Sequence, residues 1–120
     1  MTHYVDGFLL PIAPEHIVEY QKVANLAGAV WKEHGAIAYW ECLGDDLDIP
    51  DMVSFKKSAG CKDNETVVLA WIVYPSRAAR DEINSAVMAD PRLKDMCQND
   101  SLFDYRRMAY GGFKELVRHD

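Results

Sequence analysis

The spacing of apolar residues changes repeatedly along the chain between the repeat of a strand and that of a helix, and each change predicts a boundary between the two. Four stretches are predicted to form strands: residues 4–10, 37–43 and 65–74, which are rich in the β-branched and aromatic residues that favour strands, and residues 107–116, which contain Tyr110 and Phe113. The stretch at 65–74 is apolar at nearly every position instead of alternating, which is typical of a strand covered on both faces. We therefore expect a layer of protein on each side of the sheet.

Helical periodicity follows the first and the third of these strands. One helix is predicted from Pro14, which suits a first helical turn, to the residue before Gly35, which suits the left-handed position after a helix. Ser76 is a predicted N-cap for a second helix, and a shorter third helix is predicted at 91–97. Residues 98–104 are predicted to be loop.

The resulting order, β-α-β-loop-β-α-α-β, predicts an α+β fold with a four-stranded antiparallel sheet. This is the βαββαβ arrangement of a ferredoxin-like sandwich, in a single domain that spans residues 1–120. Helices cover only one face of such a sheet, so the strand at 65–74 requires a second cover. A second copy of the chain is the simplest one, because homodimers are the commonest oligomers. Two facing sheets would form a dimeric α/β barrel.

The segment at 44–64 is long for a connection between two strands. It belongs to an acidic part of the chain, since no lysine or arginine occurs between Glu33 and Phe55. Residues 52–55 alternate briefly and predict a short extra strand, and residues 56–64 are predicted to form turns in solvent. We expect this segment to act as a dimer arm or a lid.

The chain carries 13 basic and 19 acidic residues, a net charge of −6, without a basic stripe. This balance argues against binding to nucleic-acid phosphates or to an anionic membrane surface. No stretch of about 18 residues is free of charge, so no membrane span is predicted. The three cysteines are widely spaced and no export signal is recognised, so we expect reduced thiols in a cytoplasmic protein.

Several local motifs occur together in this chain. They are YVDGF at 4–8, WKEHG at 31–35, WIVYPSR at 71–77, VMADPR at 87–92 and RMAYGGF at 107–113. In combination they resemble the YbaA-like bacterial proteins, a family of unknown function, over nearly the whole chain. The resemblance implies the dimeric α/β-barrel superfamily, but no activity, no cofactor and no catalytic residue. The wider superfamily, which is similar in fold only, includes cofactor-free monooxygenases, isomerases and haem-dependent peroxidases.

Three residues are candidates for catalysis. Asp6 lies within an apolar strand, where a carboxylate is costly unless it is paired, hydrogen-bonded or neutral. It is either a general base in a pocket or a buried carboxylate bonded to an arginine or to backbone amides. Glu41 on the second strand raises the same question. His34 either bonds the last carbonyls of the first helix or takes part in catalysis or haem ligation.

Further aromatic and basic residues are candidates for ligand binding. Five aromatic residues on predicted strands would line a pocket for a flat apolar molecule, or simply belong to the core: Tyr4, Trp40, Trp71, Tyr74 and Tyr110. Arg77 and Arg80 lie at the positive end of the second helix, which suggests a specific partner: a buried carboxylate such as Asp6, or an anionic ligand. No residue group has the number and spacing of ligands that a metal site requires.

Two functions remain open. The first is a homodimer that binds a small molecule in a barrel pocket without a cofactor. The alternative is a cofactor-independent enzyme of the monooxygenase or isomerase type, with Asp6 or His34 as the base. The same element order occurs in RNA-recognition modules, but the strand at 65–74 lacks the basic residue and the glycine that those modules require.

Overall fold

The computed structural model describes residues 2–96 and 104–120. The elements in chain order are β1 (Tyr4–Ile12), a 3-10 turn (Pro14–His16), α1 (Ile17–Glu33), β2 (Ala38–Leu43), α2 (Phe55–Ala59), β3 (Thr66–Tyr74), α3 (Arg77–Met88), α4 (Pro91–Met96), a second 3-10 turn (Tyr105–Arg107) and β4 (Ala109–Lys114). No helix in these ranges is long and apolar enough to cross a membrane.

The strands form one four-stranded sheet in the order β2-β3-β1-β4, and every neighbouring pair is antiparallel. In the centre of the sheet, Asp6 pairs with Ile72 on one side and with Gly112 on the other. Tyr74 and Val30 belong to the largest buried cluster, which joins β1, β3, α1, α3 and α4. The predicted α+β fold with a four-stranded antiparallel sheet is confirmed.

The two faces of the sheet differ in what covers them. Alternation sends Tyr4, Asp6, Phe8 and Leu10 of β1 toward the helices, together with their partners on β3. The opposite set forms the outer face, which we define as residues 5, 7, 9 and 11 of β1, 38, 40 and 42 of β2, 67, 69, 71 and 73 of β3, and 109, 111 and 113 of β4. None of these residues carries a charge.

The segment between β2 and β3 differs from its prediction. Residues 52–55 form no strand; instead, the Ser54 side chain accepts a hydrogen bond from the Lys56 amide and caps α2. Gly60 ends this short helix in a left-handed conformation, with φ of 68°. The cap and the glycine together define one helical turn, and they outweigh an alternation that lasts only four residues.

Two strand ends also differ from their predictions. The first strand does not stop before Pro11, because β4 pairs with β1 only as far as Leu9 and leaves Pro11 paired on one side. The last strand starts at Ala109 and not at residue 107, since Arg107 lies in the preceding turn. The predicted loop at 98–104 lies outside the described residues except for Asp104, whose side chain caps that turn.

Candidate functional site

A cavity of about 520 Å³ lies between the helix-facing side of the sheet and the helices above it. Most of its wall is apolar and comes from Phe8, Leu10, Val23, Ala24, Ala27, Ala70, Ile72, Met88, Leu93 and Met108. Two carboxylates, Asp6 and Glu41, lie on the same wall, each among tyrosines. An apolar cavity with a few polar groups is the usual form of a small-molecule site.

Asp6 is completely buried and holds four side-chain donors. Its Oδ1 accepts a hydrogen bond from Arg80 Nη1 at 3.2 Å. Its Oδ2 accepts from the hydroxyls of Tyr74 at 3.1 Å and Tyr110 at 3.2 Å, and from Asn84 Nδ2 at 3.4 Å. The ion pair with Arg80 is the one anticipated from the position of this arginine at the start of α3.

A second layer of contacts fixes the groups around Asp6. The Trp31 indole donates to the Tyr74 hydroxyl at 3.1 Å and to Asn84 Oδ1 at 3.2 Å. The guanidinium of Arg80 lies over the ring of Tyr4, 4.9 Å from its centroid. This network ties α1 and α3 to the centre of the sheet through polar contacts.

Burial and the Asp6 carboxylate control the ionisation of this cluster. Burial first, and then the negative charge of Asp6, raise the pKa of Tyr74 and of Tyr110. Burial lowers the pKa of Arg80, but the Asp6 charge, together with Tyr110 and Tyr4, raises it by more, so the net shift is upward. The tyrosines therefore remain hydrogen-bond donors and Arg80 remains a cation beside Asp6.

A glycine in β4 makes room for this cluster. A Cβ atom at Gly112 would lie 2.6 Å from Cε2 of Tyr4, so the Tyr4 ring packs directly against the β4 backbone. The pairing of β1 with β4 continues through Gly111 and Gly112 without a bulge. The glycine pair therefore marks a close approach, one of the two explanations that a glycine pair in a strand suggests.

Glu41 forms a second cluster on the wall of the cavity. Its Oε1 accepts a short hydrogen bond from the Tyr20 hydroxyl, and its Oε2 accepts one from the Tyr39 hydroxyl. Tyr39 and Glu41 are two residues apart on β2 and so point to the same face, while Tyr20 comes from α1. Gly28 on α1 accommodates the Tyr39 ring, because a Cβ atom there would lie 2.8 Å from Tyr39 Cδ1.

The Glu41 cluster lies on a wall shared by two spaces. A more open groove of about 590 Å³ runs between α1 and β2, and Glu41, Tyr20 and Tyr39 line it as well as the cavity. Glu41 is partly exposed, unlike Asp6. Burial and then the Glu41 charge raise the pKa of both tyrosines, so they stay protonated and keep donating to the carboxylate.

The other predicted site residues lie elsewhere. His34 does not bond the helix carbonyls with its ring; its Nε2 lies 3.0 Å from Asp90 Oδ2. Trp40 and Trp71 stack on each other with centroids 5.8 Å apart, on the outer face and thus opposite the cavity. Arg77 is exposed at the start of α3. Of the ligand-binding candidates, the structure places Tyr110 at the cavity.

Sequence reasoning missed three polar residues of the site: Tyr20, Tyr39 and Asn84. Signals for two of them existed, because Tyr39 alternates with Glu41 and Asn84 follows Arg80 by one helical turn. Tyr20 looked like one member of an apolar helix stripe. Within the described ranges, no group of histidine, cysteine and acidic side chains is arranged to hold a metal ion.

Comparison with known proteins identifies the family. Residues 3–105 match the family described as "Protein of unknown function (DUF1428)". The chain belongs to this family. It is 36% identical over 114 residues to the uncharacterized protein YbaA of Escherichia coli K12, a match that covers 95% of this chain and 97% of YbaA. The family resemblance read from the sequence motifs is therefore confirmed.

Several solved structures share the fold of this chain. Rv0793 from Mycobacterium tuberculosis has a TM-score of 0.61 and 13% identity, over 98% of this chain and 99% of its own. SnoaB from Streptomyces nogalater, described as a cofactor-independent oxygenase, has a TM-score of 0.60 and 15% identity, over 98% of this chain and 95% of its own. A NIPSNAP-like domain protein from Burkholderia xenovorans has a TM-score of 0.60 and 14% identity, over 98% of this chain and 89% of its own. At these identities the likeness concerns the fold alone.

Proposed function

We propose that this DUF1428 protein is a cytoplasmic homodimer that binds a small, largely apolar molecule in the cavity between the sheet and the helices. The observation that carries the proposal is the cavity of about 520 Å³, whose apolar wall is interrupted by two held carboxylates. The proposed location is supported by Cys42 and Cys61, which are both free thiols.

The outer face supports the dimer. It carries no charge, and several of its large side chains are open to solvent, including Trp40 at 58% and Phe113 at 60% exposure. Helix α2 packs against β1 and β3, and Pro11 and Val67 are buried at one end of this face. A large uncharged apolar patch on a folded protein is typical of an interface, and a second copy presents a matching patch.

The segment at 44–64 supports the same interface. Besides α2 it carries exposed apolar side chains at Ile49, Met52 and Val53. Their exposure in a single chain fits an arm that packs on a partner. We therefore propose the arm role for this segment in preference to the lid role.

Binding is tested by titrating the purified protein with naphthalene and with 2-naphthol, followed by tryptophan fluorescence and by the thermal unfolding midpoint. We expect both signals to saturate. Ala27→Leu adds volume inside the cavity and should weaken binding about tenfold, whereas Ala29→Leu, at an exposed position of the same helix, should not. If neither compound shows saturable binding, the proposed function is contradicted.

The dimer is tested by native mass spectrometry on gently purified protein. We expect twice the chain mass of 13.6 kDa, and any additional mass would report a carried ligand. Trp40→Glu places a charge in the outer face and should yield a monomer, while Val18→Glu, on an exposed part of α1, should leave the dimer intact. A wild-type monomer would contradict the proposed assembly.

A second candidate function is proton-transfer chemistry in the same cavity, of the isomerase or cofactor-independent oxygenase type. The observation that favours it is Glu41, a partly exposed carboxylate on the wall of an apolar cavity, which is a suitable place for a general base. Because SnoaB, described as a cofactor-independent oxygenase, shares this fold, oxygenation of the bound compound by O₂ is the first activity to assay. Turnover that is lost in Glu41→Gln but retained in Glu19→Gln would favour this candidate over simple binding.

A further inference from the structure

We infer that Glu41 is the recognition group for the bound molecule, and that the cavity selects a neutral apolar molecule with a hydroxyl or N–H donor over one that carries a carboxylate. This inference rests on the proposed function, because it names the ligand class of the same cavity. It follows from the difference in free hydrogen-bond capacity and in charge between the two carboxylates on the cavity wall.

Asp6 has little capacity left for a ligand. Its Oδ2 already accepts from three side chains, its Oδ1 accepts from Arg80, and the residue is completely buried. Glu41 differs, because each of its oxygens accepts from one tyrosine and an ionised carboxylate oxygen accepts about two hydrogen bonds. Its partial exposure on the shared wall makes the remaining capacity accessible to a donor.

The charge of Glu41 decides which molecules this capacity suits. Arg80 neutralises Asp6, but no ion pair to Glu41 occurs among the described residues, and its two tyrosine partners are neutral. Lys32 lines the neighbouring groove, but its Nζ donates to the carbonyl oxygen of Ile37 at 2.7 Å. The negative charge of Glu41 is thus uncompensated beside apolar walls.

Such a charge favours a donor and repels an anion. A hydroxyl or N–H that donates to a carboxylate forms a charge-assisted hydrogen bond, which is stronger than a neutral one. A ligand carboxylate would instead place a second negative charge near the first, where apolar walls screen the repulsion less than water does. The two tyrosines hold Glu41 in one orientation, so the acceptor is ready before the ligand enters.

Three two-ring probes test the inference: naphthalene, 2-naphthol and 2-naphthoate, titrated at neutral pH by calorimetry. We expect 2-naphthol to bind at least about tenfold more tightly than naphthalene. We expect 2-naphthoate to bind no more tightly than naphthalene. In Glu41→Gln the preference for 2-naphthol over 2-naphthoate should fall by about tenfold or more. Glu19→Gln removes an exposed carboxylate of α1 and should leave the ranking unchanged.

The outcomes separate this inference from the proposed function. Equal binding of 2-naphthol and 2-naphthoate to the wild type, or an unchanged ranking in folded Glu41→Gln, would overturn the role of Glu41 while the cavity remained a binding site. Failure of all three probes to bind would instead contradict the proposed function. Circular dichroism shows whether Glu41→Gln folds; if it does not, the wild-type ranking alone decides.

Discussion

Asp6 and Glu41 are both acidic residues on the helix-facing side of the sheet, yet their surroundings differ in two ways. Asp6 lies at the centre of the sheet, is completely buried, and is paired with Arg80. Glu41 lies on the edge strand β2, is partly exposed, and is held by the hydroxyls of Tyr20 and Tyr39 without a cation. Tyrosines surround both carboxylates, so the arginine and the burial make the difference.

This difference separates a structural carboxylate from a functional one. A buried carboxylate with an arginine and three further donors has its charge and its lone pairs satisfied, and its removal leaves a buried cation behind. A carboxylate that is hydrogen-bonded only by neutral donors has no counter-charge in the protein, so its negative charge can interact with a bound molecule. We expect the Asp6 cluster to matter mainly for stability and the Glu41 cluster mainly for binding, and three predictions test this division.

The largest effect is expected for Asp6→Asn. It leaves Arg80 without its buried anionic partner and should lower the free energy of unfolding by about 3–5 kcal/mol. Urea unfolding followed by circular dichroism measures this change. Glu41→Gln is the matched comparison and should cost about 1 kcal/mol or less, since an amide oxygen still accepts from a tyrosine. Similar costs for the two variants would remove the division between the clusters.

A smaller effect is expected for Gly112→Ala. The added Cβ would lie 2.6 Å from Tyr4 Cε2 and would push this buried ring away from Arg80, at a cost of about 1–3 kcal/mol. Gly111→Ala is the control, because a Cβ there meets its nearest neighbour, Phe113, at 3.9 Å. Thermal unfolding compares the two variants. If both unfold at the same temperature, the contact between Tyr4 and Gly112 does not support the Asp6 cluster.

Glu65 tests whether an arginine partner alone makes a carboxylate structural. Both oxygens of this residue accept from Arg107, at 2.6 and 2.9 Å, outside the cavity. This contact, more than any other, lowers the pKa of Glu65 from 4.5 to about 2. The ion pair therefore stabilises the folded state above the unfolded pKa and ceases to do so as the pH falls toward 2.

For Glu65→Gln we therefore expect a loss of about 1 kcal/mol at neutral pH that shrinks toward zero near pH 2. Urea unfolding of the wild type and the variant across this pH range measures the difference. Ligand affinity should not change, because Glu65 lies outside the cavity wall. A stability difference that stays constant with pH would mean that the ion pair does not stabilise the fold.

Much of the fold was predictable because local signals and tertiary contacts agree. Ser76 caps α3 as predicted, and its hydroxyl accepts from the Ala79 amide. The apolar run at 65–74 predicted a strand, and β3 occupies the interior of the sheet. The segment at 44–64 was harder, because a single helical turn depends on one cap and one glycine, whose signals are short.

The candidate site was only partly predictable. The carboxylates stood out because a charge within an apolar strand requires a partner, and Arg80 stood out because a cation is unfavourable at a helix start. Tyr20 gave no such signal, because tyrosine is common both in the core and at binding sites, and the signal for Tyr39 was only its alternation with Glu41. Their role depends on the packing of α1 against β2, which brings two hydroxyls to one carboxylate.

The sequence by itself determined the order of strands and helices, the family, and the need of Asp6 for a partner, since these depend on residue type and local spacing. Only the tertiary structure decided which face of the sheet each residue occupies. A strand shows that Trp40 and Glu41 point in opposite directions, but not which of them meets the helices. That choice depends on strand pairing and on the side from which the helices pack; it places the tryptophans on the outer face and Glu41 at the cavity.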